Sequence, residues 1–148
     1  MSNKSVSWNP WHGCTKISPG CKYCYVYRQD EMYGSEILSS ECRKTGNFNL
    51  PVKKKRDGSY KTEPGSLVFT CFTSDFLLAD ADEWRKDCWQ MMKQRSDCMF
   101  YFFTKRIDRL SQCLPKDGAT AMKMSLSAAR SKIKRRQITG CRYFSLCR

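Results

Sequence analysis

The sequence has no run of the roughly 18 to 20 apolar residues that a membrane-spanning helix needs, and its opening MSNKSVSWNP lacks the apolar stretch of a secretory signal. A cytoplasmic protein without a membrane partner is expected. It has one histidine in 148 residues, His12, which is too few for an ordinary histidine-based catalytic centre. Acids are missing altogether after Asp117, whereas eight of the 27 Lys and Arg fall there. The net charge of +13 is therefore concentrated at the chain end, and the first 117 residues carry only about +5. The basicity is largely a property of the tail.

What is present suffices for one globular unit, with 41% hydrophobic and 13% aromatic residues. There are ten cysteines. In a reducing compartment they point to a metal or cluster site plus buried thiols rather than to disulfides. Cys71, Cys88, Cys98 and Cys113 lie in apolar surroundings and are expected in the core. Cys14, Cys21 and Cys24 cluster instead, separated by six residues and then by two. Thiolates are soft ligands, a C-x2-C pair can present two sulfurs to one metal or cluster, and the turn-forming Ser18-Pro19-Gly20 lets Cys14 fold back toward that pair. His12 could add a fourth ligand, giving a closed Cys3His zinc site.

Ser5 to Trp8 is expected as a short strand, followed by the cysteine loop at 12–24 and a helix from Lys22 to Tyr33, with Gly34 as its terminator. Residues 35–65 show little periodicity and are expected as a surface excursion, with Asp57-Gly58 marking a turn after the run Lys53-Lys54-Lys55-Arg56. The run could contact phosphates, although no groove-reading motif surrounds it. LVFTCF at 67–72 and MFYFF at 99–103 read as parallel strands covered on both faces. Between them, Asp80 and Glu83 suggest a capping box for a helix reaching about Arg95, with Trp84, Cys88, Met91 and Met92 facing the core. A further helix is expected from Ile107 to Leu114. Alternating strands and helices imply a parallel sheet, whose ligands gather at the carboxyl ends of its strands. The cysteine loop, Thr73-Ser74-Asp75 and Thr104-Lys105-Arg106 would then share one crevice.

WNPWHGC, SPGCKYCY, NLPVKKKRDGSY, FTSDF, DADEW and FTKR together resemble the phage gene-product 37/68 family, also called domain of unknown function 5131, whose members are often encoded by phages or prophages and resemble radical S-adenosylmethionine enzymes. The resemblance runs from about Trp8 to Asp117. It implies the N-terminal portion of a parallel (β/α) barrel, about three βα units, with Cys14, Cys21 and Cys24 holding a [4Fe-4S] cluster. The open fourth iron would bind S-adenosylmethionine, which an electron from the cluster, replenished by a donor, cleaves to a radical. Tyr23 could lie against the adenine or pack the first helix turn, and Asp75, Lys105 and Arg106 sit where ribose or carboxylate contacts would be made. The first gap departs from the familiar C-x3-C-x2-C spacing. The rival function is a zinc-stabilised nucleic-acid-binding module that uses the basic run and tail.

The family's continuation, similar to Gly-Tyr-Glu-Asn-Val-Ser-Ile-Gly, does not follow FTKR in this frame. Ala121-Met122-Lys123-Met124-Ser125 can be encoded so that a two-base shift reads Tyr-Glu-Asn-Val, and Gly140 to Phe144 can hide Leu-Pro-Ile-Phe. The expectation is that the chain leaves its ancestral frame near Asp117 to Ala119, making residues 118–148 an irregular basic tail and the protein at best weakly active.

Overall fold

In the computed structural model, residues 4–34, 39–115 and 124–128 are described. β1 (Ser5–Trp8) and β4 (Leu67–Thr70) pair in parallel, β4 pairs in parallel with β5 (Met99–Thr104), and β5 with β6 (Met124–Ala128). The sheet order is β1-β4-β5-β6. A separate two-stranded ladder joins β2 (Trp11–His12) to β3 (Arg43–Lys44). The helices are α1 (Tyr25–Met32), α2 (Asp82–Gln94) and the single turn α3 (Leu110–Cys113). The chain is thus a mixed α/β protein with a small parallel sheet, and no helix among the described residues is long and apolar enough to cross a membrane.

The strands form where β-branched and aromatic residues alternate between a covered and a less covered face. Val68, Thr70, Phe100, Phe102 and Thr104 are buried, whereas Phe69, Tyr101 and Phe103 are not. α2 covers the first face with Cys88, Trp89, Met91 and Met92, and Phe76 stands between the two layers, 4.7 Å from Phe102 and 5.0 Å from Trp89 between ring centroids. The other face carries Phe69, Phe72, Tyr101 and Phe103, which pack on one another at 5.1–5.9 Å. Among the described residues this face is less covered than the other, with Phe69 and Tyr101 half-buried and Phe103 exposed, so the expected full coverage on both sides is met on one side alone. All four cysteines assigned to the core are buried.

Other boundaries differ for local reasons. β4 stops at Thr70 rather than Phe72 because Cys71 adopts a left-handed backbone (φ 59°) that a strand cannot continue through. α1 begins at Tyr25 because Pro19–Cys21 winds as a 3-10 turn and Cys24 is extended (φ −64°, ψ 127°). No capping box forms at α2, since Asp80 lies in the 3-10 turn Ala79–Ala81 and the N-cap Ala81 has no side-chain hydrogen bond. Asp82 and Glu83 complement the helix dipole there instead. Apart from β6, the expected basic tail lies outside the described residues.

The largest correction concerns the segment before β4. It is part of the body: Phe48, Leu50 and Val52 pack against the core, and the Trp8 indole donates to the Phe48 carbonyl at 2.9 Å. Arg95, fully buried at the end of α2, donates to the carbonyls of Pro51 and Thr62 and to the Asp97 carboxylate. Replacing it by methionine leaves two buried carbonyls without a charged donor, so Arg95→Met should lower stability by about 3 kcal/mol, read as a reduced urea midpoint. A midpoint equal to that of the parent would show that the guanidinium does not hold this segment.

Candidate functional site

Because the main strands are parallel, the segments leaving β1, β4 and β5 emerge at one edge. Asn9 joins the first two: its side-chain oxygen accepts from the Phe72 and Thr73 amides at 2.8 and 3.2 Å. The ladder continues outward. Gly13 donates its amide to the Thr73 carbonyl, and its own carbonyl accepts the Ser74 hydroxyl at 2.5 Å. Gly13 has φ 94°, and a Cβ there would stand 2.1 Å from the Glu41 carbonyl oxygen. Only glycine allows the cysteine loop to pass so close to that backbone.

Asp75 is the centre of this edge. It is 5% exposed, and its carboxylate accepts from the Leu77 amide, the Thr104 hydroxyl (2.7 Å), the Lys105 amide (3.0 Å) and the Arg106 guanidinium (3.3 Å). Arg106, also buried, sends its other nitrogen to the carbonyl and hydroxyl of Thr15 at 2.7 and 2.8 Å. The same side chain stands 3.5 Å from the Cys14 sulfur. Lys105 bonds the Gly20 carbonyl at 3.0 Å and lies 3.6 Å from the Cys21 sulfur. The two cations expected in the crevice therefore brace the loop on either side of its turn.

α1 closes the loop from the other direction. The Tyr27 hydroxyl donates to the Cys14 carbonyl and the Tyr25 hydroxyl to the Phe72 carbonyl. Burial and then the charges of Cys14, Cys24 and Cys21 push the Tyr27 phenol up against the opposing charge of Arg106. Burial pushes the Cys14 thiol up against the opposing charge of Arg106. At Cys21 burial acts in the same direction, but the Ser18 hydroxyl, backbone hydrogen bonds and Lys105 outweigh it and bring the thiol down to about 7. Among the described residues, no group of three or more His, Cys, Asp or Glu is close enough to hold a metal ion.

His12 is engaged elsewhere: its Nε2 meets both oxygens of Asp30 at 2.9 and 3.0 Å, tying β2 to α1. Tyr23 does not join the cluster. It is 84% exposed, with the Lys22 amine 5.4 Å from its ring centroid, so it does not pack the first helix turn. Tyr27 and Asn9 were missed among the residues that build this edge, although Ser74 and Thr15 lie in segments expected there. Tyr27 falls at an apolar helical position, which hides a phenol that points its hydroxyl into the loop.

Comparison with curated proteins and with solved structures finds no match. A family model described as "Protein of unknown function (DUF5131)" matches residues 2–142, and the chain belongs to that family.

Proposed function

We propose that the chain is an iron–sulfur protein resembling radical S-adenosylmethionine enzymes, built on the first βα units of a barrel of that type, with Cys14, Cys21 and Cys24 as ligands of a [4Fe-4S] cluster. The observation that carries this reading is the pairing of Arg106 with the Cys14 sulfur and of Lys105 with the Cys21 sulfur, at the carboxyl edge of a parallel sheet. The donor set suits the group in kind, with three soft thiols from one short loop, two of them faced by cations that favour thiolate and would offset the charge of a bound cluster, and the three sulfurs would have to draw together to hold it. A closed zinc site would need a fourth ligand, and with the Nε2 of His12 paired to Asp30 only its Nδ1 would remain to supply one.

When bound, the cluster would supply an electron to S-adenosylmethionine at its open iron. The chain's residues do the positioning. Asp75 orients Arg106, Arg106 and Tyr27 fix the position of Cys14, and Gly13 admits the loop to the sheet edge. Asp75, Lys105 and Arg106 support the loop in this arrangement, and any ligand they also touch must share these bonds. The same reading has the chain leave its ancestral frame near residue 117 and act weakly. An open two-base-shifted frame in the coding DNA, continuing the barrel, supports that part, whereas early stops remove it.

Anaerobic reconstitution should give a brown protein with about four irons per chain. A colourless protein with one zinc sinks the proposal. Cys14→Ser should lose the iron, and iron content equal to the parent would show that the ligand set is wrong. Lys105→Met should keep the iron but lower the reduction potential by about 50 mV, roughly 1 kcal/mol for one electron, because the lost cation favours the more negative reduced state. An unchanged potential would remove that role from Lys105 while leaving the cluster in place.

A further inference from the structure

At the opposite edge of the sheet, residues 53–61 form a tight turn that carries five cations, Lys53, Lys54, Lys55, Arg56 and Lys61, and all five are exposed. The turn is firmly built. Lys55 donates its amide to Ser59, Lys61 to Lys53 and Gly58 to Lys55, and Gly58 takes φ 82°. Its one acid, Asp57, is held ionised by the amide and hydroxyl of Ser59 at 2.8 and 2.6 Å, so one negative charge stands against five positive ones and the turn keeps a net charge of +4. The base is clamped where the chain enters and leaves: Pro51 and Thr62 are both buried, and the buried Arg95 donates to both carbonyls.

A run of cations is ordinarily a solvated surface. Here a fully buried arginine holds the two ends of that run together, and the Tyr60 ring meets both the Lys54 amine and the Arg95 guanidinium, at 5.6 and 4.2 Å from its centroid. The cations therefore project from a fixed base. We infer that the turn 53–61 is a docking surface for the phosphate backbone of a nucleic acid. The exposed residues 53–59 include no aromatic or large aliphatic side chain, which a protein interface core or a membrane-inserting segment would need. Closely spaced cations with one competing acid match a polyanion, whose phosphates carry no sequence information.

This inference does not rest on the cluster, and its test needs no iron. The full chain is titrated against a fluorescent mixed-sequence DNA duplex and a single-stranded RNA, from roughly 50 to 200 mM salt. Joint replacement Lys53→Gln, Lys54→Gln, Lys55→Gln and Arg56→Gln should weaken binding to at least one of them about tenfold or more. It should also reduce the log-log salt slope by about 3, close to one counterion per lost phosphate contact. Replacing the three lysines by arginine should retain the parental slope. The altered side chains are exposed, so the thermal melt should match the parent's and separates lost binding from lost folding. Three results would overturn the inference: failure of the parent to bind either nucleic acid, glutamine-variant affinity and slope within twofold of the parent, or equally salt-dependent binding to polyglutamate or to phosphatidylserine vesicles.

Discussion

A buried ion pair is costly unless almost every polar atom it contains is used, because desolvation opposes the attraction. Asp75 and Arg106 meet that condition between the ends of β4 and β5. The carboxylate takes two backbone amides, a hydroxyl and the guanidinium, and the guanidinium has donors left for Thr15 and the Cys14 sulfur. The pair therefore has two consequences that cannot be separated. It fixes the two strand ends relative to each other, and it directs the surplus donors of Arg106 at the cysteine loop. The loop has no regular secondary structure between Gly13 and Ser18, so its position depends on these contacts and on Tyr27.

The segment carrying Asp75 is held as firmly from behind. Arg85 in α2, itself buried, donates to the carbonyls of Phe76 and Leu78, and Arg109 donates to that of Leu77 at 2.7 Å. Both arginines converge on Asp82 in the first turn of α2. Irregular backbone buried beneath helices would otherwise leave carbonyls without donors, and three consecutive ones are satisfied here by two side chains. With Phe76 and Leu77 fully buried between sheet and helix, the loop is part of the core and not a flexible lip of the crevice.

Much of this organisation was legible because it is local or periodic. The apolar runs of β4 and β5, the recurring large residues of α2 and the close cysteine spacing each survive as signals in a short window. The contacts that position the site do not. Asp75 to Arg106, Tyr27 to Cys14 and Arg95 to Pro51 span between 13 and 44 residues, and nothing in a window around either partner announces the other. The stretch before β4 was misread for the same reason: Phe48, Leu50 and Val52 are too few to make a pattern, and long-range bonds from Trp8 and Arg95 decide their burial. β6 was missed although Met-Ser-Leu-Ser-Ala alternates with a strand's period, because the acid-free composition around it suggested a tail.

The direction of the strands also separates two groups of cations. Lys105 and Arg106 leave the carboxyl end of β5, whereas Arg95 clamps the base of the basic turn near the amino end of the same strand. Six residues of strand separate these ends by about 20 Å. The Debye length at physiological salt is about 8 Å, so through solvent the two groups of cations are largely screened from one another. Within 4 Å, by contrast, Lys105 and Arg106 act on the sulfurs at short range and under partial burial, where screening is weak. Cations can thus crowd the exposed turn without shifting the sulfurs, and the pair at the loop can bias the sulfurs without adding to the charge the turn presents.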